Sequence, residues 1–92
     1  MGYEFEWDRR KARSNQQKHG VSFEEATTVF GDPLALLMPD PDHGDGEERF
    51  VLLGLSSRHR LLVVAFAERR PMTRLISARL ASAPERRQHE ET

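Results

Sequence analysis

The order of its sequence patterns predicts an α+β fold, β-α-α-β-β-β-β-α, with helices packed on a mainly antiparallel sheet. Three observations carry that expectation. A short segment near the N-terminus alternates apolar and acidic side chains. Residues 8–31 then hold two segments with helix start and stop signals. Four apolar runs separated by turn-forming residues follow, before a last polar stretch with helical character. The 92 residues suit one domain, residues 1–92, with a single modest core, and no repeat or linker interrupts them.

Each element has a local reason. Tyr3-Glu4-Phe5-Glu6-Trp7 reads as a first strand with one buried face. Asp8 is a good N-cap for a helix over the following residues, and Gly20 suits the position just past its end. That helix is almost without an apolar face, since only Ala12 is hydrophobic. Ser22-Phe23-Glu24-Glu25 has the spacing of a capping box, in which Ser22 and Glu25 satisfy each other's backbone N–H. It opens a second helix reaching about Phe30, with Phe23, Ala26, Val29 and Phe30 on one face, and Gly31-Asp32-Pro33 stops it. Leu34–Met38 is a short strand, and Pro39–Gly46 a polar loop rich in turn formers. Phe50–Leu55 and Leu61–Ala67 form a hairpin across Ser56–Arg60. Met72–Ala78 supplies the last strand, and Ala81–Glu91 a final helix that tolerates Pro84 only in its first turn.

The net charge of −1 hides strong segregation along the chain. Residues 8–19 carry +4, residues 20–48 carry −8 without one Lys or Arg, and residues 49–79 carry +6. Such asymmetry either presents a basic surface to phosphates or is neutralised inside the fold. Cysteine is absent, which removes disulfides, thiolate zinc sites and cysteine nucleophiles. No apolar stretch is long enough for a bilayer, and acidic residues stand where a signal peptide has basic ones, so a soluble, cytoplasmic protein is expected. There is no glycine-rich phosphate loop, no Gly-x-Ser-x-Gly elbow and no His-Glu-x-x-His pattern.

Two constellations carry chemistry. Lys11, Asn15 and Lys18 recur at i, i+4 and i+7 with His19 directly after them: phosphate-binding ammonium groups beside an imidazole suited to proton transfer. Taken alone, this group is either a solvated face with its cations at a helix C-terminus or one wall of a polar site. Arg58, Arg60, Arg74 and Arg79 form a second group. Arg58 and Arg60 flank the hairpin turn and Arg79 closes Leu75-Ile76-Ser77-Ala78, and arginines at strand ends can converge on a phosphate. Strand parity puts Arg74 and Arg79 on opposite faces unless a bulge intervenes, and Arg69, Arg70 and Arg74 read better as surface charge. The acidic loop around His43 lacks calcium-loop spacing and reads as solvated, with Glu48 and Arg49 as a neighbouring structural pair.

The string Phe5-Glu6-Trp7-Asp8, Lys11, Asn15, Lys18-His19-Gly20-Val21-Ser22-Phe23-Glu24-Glu25-Ala26 resembles the opening signature of the BrnT family. So do Phe30, Asp32-Pro33, Asp42-His43, Glu47-Glu48-Arg49, Gly54, Ser56, Arg60, Ile76-Ser77-Ala78-Arg79, Ala81 and Glu85-Arg86, in that order. These are toxins of bacterial BrnT/BrnA type II toxin–antitoxin systems. The resemblance implies a RelE-like fold and a metal-independent endoribonuclease that blocks translation. It implies a BrnA-type antitoxin as partner, a heterotetrameric complex, and contact with operator DNA only through that antitoxin. No cofactor and no membrane are implied. In such a nuclease the RNA 2′-hydroxyl attacks the scissile phosphate. His19 then fits the acid/base role, and Lys18, Lys11 and Arg79 fit the stabilisation of phosphate charge. Arg58, Arg60, Asn15 and Trp7 are the expected RNA contacts.

Two departures from the family pattern stand out. Leu80 occupies the place of a second arginine after Ile-Ser-Ala-Arg, and His89 that of a C-terminal aromatic residue. Leu80 leaves open a second reading, a catalytically weakened toxin homologue that acts mainly as an antitoxin-binding co-repressor.

Overall fold

The computed structural model describes residues 3–41 and 47–91. Its elements are β1 (Glu4–Glu6), α1 (Arg9–His19), α2 (Phe23–Thr28), a 3-10 turn over Val29–Gly31, β2 (Leu36–Pro39), β3 (Arg49–Leu55), β4 (Leu61–Arg69), β5 (Met72–Leu80) and α3 (Ala83–Glu90). The order matches the one read from sequence. Differences are at element ends: α2 tightens into the 3-10 turn before Phe30, and β5 runs on to Leu80. Asp42, His43 and Asp45 of the acidic loop lie outside the described residues, so the reading of that loop is untouched.

The strands form one sheet in the order β1-β5-β4-β3-β2, with β1 parallel to β5 and every other pair antiparallel. On one face α1 and α2 cover the main core, where Val21, Phe23, Ala26 and Val29 meet Leu52, Leu62, Val64, Phe66, Leu75 and Ala78. The opposite face carries a smaller cluster, Leu53, Leu61 and Val63, flanked by Leu36, Met38, Val51 and Ala81. Helix α3 lies toward that second face, yet none of its residues is buried. Polar contacts tie it there, through Glu85 to Arg79 and Gln88 to Met38.

Gly54 lets the helix face close. A Cβ there would meet Ala35 Cβ at 2.8 Å and Asp32 Oδ2 at 2.9 Å. That close approach lets Asp32 accept from both Leu34 N–H and Leu55 N–H and tie the start of the β2 segment to the end of β3.

Helix α1 solves the problem posed by its missing apolar face through one amide. Its caps form as expected: Asp8 accepts from the N–H groups of Arg10 and Lys11, and Gly20 takes the left-handed conformation (φ 68°) that closes the C-terminus. Asn15, its one buried residue, donates from Nδ2 to Ala78 O at 2.8 Å and to Val21 O at 3.0 Å, and accepts at Oδ1 from Ala78 N–H at 3.0 Å. Beyond Arg74, where β1 stops pairing, β5 has an open edge. Asn15 pairs with both backbone groups of Ala78 as a neighbouring strand would, which caps that edge.

A bulge in β5 sets which side chains face where. Ala65 pairs with Ser77 and Phe66 with Leu75, which leaves Ile76 without a cross-strand partner. Leu75 and Ala78, three residues apart, therefore both join the main core. Arg74, opposite Ala67, and Arg79, opposite Val63, share the α3 face.

Asn15→Ala should strip partners from three buried backbone groups at once. The expected loss is about 2–4 kcal/mol, since each abandoned buried group costs about 1–3 kcal/mol where water cannot replace the partner. Urea unfolding measures it, and a loss below about 1 kcal/mol would show that the edge cap is dispensable.

Candidate functional site

Where α1 runs along the open edge of β5, a groove of about 220 Å³ forms between them. Lys11, Ser14, Lys18 and His19 line it from the helix, and Ile76 and Ser77 from the bulged strand. Asn15 forms its floor. The spacing read from the sequence is thus used in two ways: the buried amide docks the helix, and the lysines on either side of it in the chain stand over the groove. Lys11, Lys18 and His19 are exposed, and among the described residues none has an ion-pair partner. Lys18 and His19 also sit in the last turn of α1, where the helix dipole favours positive charge.

Arg79 does not line this groove. It stands two residues beyond Ser77 on the same face of β5, about 7 Å along the strand at the usual rise. There it borders a second cleft, of about 320 Å³, under α3. Glu85 accepts from its Nη1 and Nη2 at 2.8 Å each, and Leu80 O accepts from Nη1 at 3.2 Å. A guanidinium has five N–H donors. Among the described residues three are taken, leaving the Nε–H and the second Nη2–H, a parallel pair that matches two oxygens of a phosphate.

In the sequence Glu85 stands only within the family motif and without a role, although Ser82-Ala83-Pro84-Glu85 is a capping-box pattern. Here the box is complete: Ser82 Oγ accepts from Glu85 N–H, and Glu85 accepts from Ser82 N–H at 2.8 Å. The Arg79 guanidinium, above all, holds the Glu85 carboxyl at about 2, against the opposing pull of burial. Ser77 was missed too, and the sequence carries no signal for it, because the bulge gives it its place.

Of the four residues expected at RNA, Asn15 and Arg60 are committed to partners within the fold, and Arg58 and Trp7 lie outside the lysine groove. Asn15 has both ends of its amide committed to backbone, so its hydrogen bonds dock the helix. Arg60 turns inward: its Nε and Nη2 pair with the Glu25 carboxylate and Nη2 also donates to Gly20 O. It joins α2 to the C-terminus of α1 beside His19 because the Glu25 carboxylate, 4% exposed, requires a compensating charge. Arg58 is exposed and 3.9 Å from the same carboxylate. Trp7 packs edge-on against Phe23 and lines a surface with Arg9, Arg13 and Glu24 that shares no residue with the lysine groove.

Glu25 corrects the capping-box expectation at α2. Ser22 Oγ accepts from Glu25 N–H as expected, but the Glu25 carboxylate goes to Arg60 and the Ser56 hydroxyl instead of back to Ser22. Those bonds, Arg60 first, hold its carboxyl below the usual carboxylate range although burial opposes them. Arg49 likewise pairs with Glu47 at 3.3 Å, not Glu48, and Glu47 also takes Arg69. Arg74 lies 3.8 Å from Glu6, which fits its reading as surface charge.

The family model described as "Ribonuclease toxin, BrnT, of type II toxin-antitoxin system" matches residues 7–85. The chain belongs to the BrnT family. The match begins at Trp7 and ends at Glu85, so it spans the lysine groove, the bulge and the Arg79–Glu85 pair. Among solved structures, the Brucella abortus ribonuclease toxin BrnT is similar at a TM-score of 0.64 and 23% identity, covering 87% of this chain and 97% of that one. At that identity the likeness is one of fold. No curated protein matches the chain.

As a BrnT-family member, the chain is a ribonuclease toxin of a type II toxin–antitoxin system and has an antitoxin as partner. Among its described residues no helix is long and apolar enough to cross a membrane.

The lowered carboxyls of Glu25 and Glu85 contribute to an acid limit of the fold. Both bind a proton more weakly folded than unfolded, so the unfolded chain takes up more protons as pH falls. The stabilisation from the Arg79–Glu85 pair is complete above about pH 4.5 and drains away as pH drops toward about 2, the folded value of Glu85. Unfolding followed by circular dichroism across that window should show stability falling, and less steeply for Glu85→Gln. An identical slope in the variant would count against this linkage.

Proposed function

We propose that this toxin is a metal-independent endoribonuclease whose site is the α1–β5 groove together with the free edge of Arg79. The observation that supports the reading most is the convergence of Lys11, Lys18 and His19, none of them ion-paired among the described residues, on one groove beside Ser77. Elsewhere Arg49, Arg60 and Arg69 are partnered by carboxylates; here the positive charge is left available.

In this reading the RNA 2′-hydroxyl attacks the adjacent phosphorus. The new 2′-O–P bond forms as the P–O5′ bond breaks, giving a cyclic phosphate and a free 5′-hydroxyl. His19 carries the proton transfer, the work an imidazole does near neutral pH. Lys11 and Lys18 stabilise the extra negative charge of the phosphorane, with the Nε/Nη2 edge of Arg79 reaching phosphate from the same sheet face. RNA in the cytoplasm is the substrate. A BrnA-type antitoxin neutralises the toxin in a heterotetramer and carries the contact with operator DNA.

His19→Ala should slow RNA cleavage by about 10²–10⁴-fold, the range for a lost acid–base group, and abolish growth arrest. Its fold and antitoxin binding should persist, because His19 is exposed and outside the core. Undiminished toxicity in that variant ends the assignment.

One observation favours the co-repressor reading. Leu80, where the family pattern has its second arginine, is 44% exposed and puts an apolar side chain in place of that second cation. Expression of the chain without its antitoxin separates the two readings: arrest supports the nuclease, and unimpeded growth the co-repressor.

A further inference from the structure

Beneath α3, on the face of β5 that bears Arg79, lies the cleft of about 320 Å³, within the ~300–1,000 Å³ range of small-molecule sites. Its floor is aliphatic. Val51, Leu53 and Val63 line it, and Leu53, Val63 and Arg79 form one cross-strand row, so the guanidinium stands at the end of an apolar strip. Its polar lining comes from Asp40 and from Glu85 and Gln88, i and i+3 on α3.

We propose that this cleft is a nucleobase subsite, which takes the base next to the phosphate that Arg79 contacts. The inference rests on the proposed role of Arg79 in phosphate binding. A nucleobase has two apolar faces and a polar edge, which is the distribution the cleft offers. The carboxylates of that lining repel a phosphate but not the uncharged edge of a base. The phosphate is thereby directed to the free edge of Arg79 and toward the lysine groove, and the base to the aliphatic floor.

Gln88 reads the base edge. Among the described residues its Nε2 meets only the Met38 thioether at 3.6 Å, a weak acceptor, so its amide is available to a ligand. A glutamine amide pairs with adenine by donating and accepting at once, which makes adenine the best match.

The test uses the full chain with AMP and, as a base-less control, ribose 5-phosphate, following the methyl resonances of Val51, Leu53 and Val63 by NMR. AMP should bind about tenfold tighter than the control, the scale of one paired base edge. It should shift those methyls while the control leaves them in place. Gln88→Ala, at an exposed helix position, should bring AMP down to the affinity of ribose 5-phosphate without changing the latter. Equal affinities for the two ligands, or methyls that respond only to added antitoxin, overturn the subsite. RNA cleavage measured in parallel keeps the two readings apart: a chain that cuts RNA without preferring AMP loses the subsite and keeps the nuclease. If neither ligand binds, the phosphate role of Arg79 falls as well.

Discussion

The side chain of Asn15 joins three parts of this fold with the hydrogen bonds of one amide. It pairs with both backbone groups of Ala78 at the open edge of β5 and with Val21 O in the segment between α1 and α2. A helix with one alanine for an apolar face has little hydrophobic reason to dock. A sheet edge left bare by a three-residue β1 needs its donors and acceptors filled. One amide meets both needs, and the helix it docks brings Lys11, Lys18 and His19 to the strand.

The bulge at Ile76 is the second constraint. By shifting register once, it lets Leu75 and Ala78 both serve the core and puts Ser77, Arg74 and Arg79 on the opposite face. That face is only partly covered, since α3 lies over it through ion pairs and polar contacts instead of buried apolar side chains. Docking of α1 and the bulge therefore act on the same stretch of β5, one from its edge and one within its backbone. Together they bring a lysine groove and an arginine-bordered cleft onto neighbouring positions of one strand.

Charge is distributed to match. The acidic segment does not neutralise the basic ones evenly: Glu25 takes Arg60 and Glu47 takes Arg49 and Arg69, across strand and helix boundaries. Arg79 is held by Glu85, from the residues that follow it. The lysines of α1 are left out of this pairing. A buried carboxylate such as Glu25 requires a partner because desolvation penalises it, whereas an exposed lysine beside a groove bears no such penalty.

Most of the architecture was legible in the sequence, because helix caps, alternation and turn residues are local signals. Asp8, Gly20, Ser22, the hairpin at Ser56–Arg60 and Pro84 in a first turn all stand as read. The order of Lys11, Lys18 and His19 left a solvated face and a polar site both open, and the family motifs identified a BrnT-type chain. Only the tertiary structure decided what each polar side chain spends its hydrogen bonds on. Asn15 and Arg60 look like ligand contacts in the sequence, yet are consumed by a strand edge and a buried carboxylate. Glu85, bland in the sequence, holds Arg79. Parity along β5 predicts opposite faces for two arginines that the bulge puts on one. Local spacing fixes where a side chain starts; its partners lie tens of residues away, 63 in the case of Asn15 and Ala78, and no local pattern encodes them.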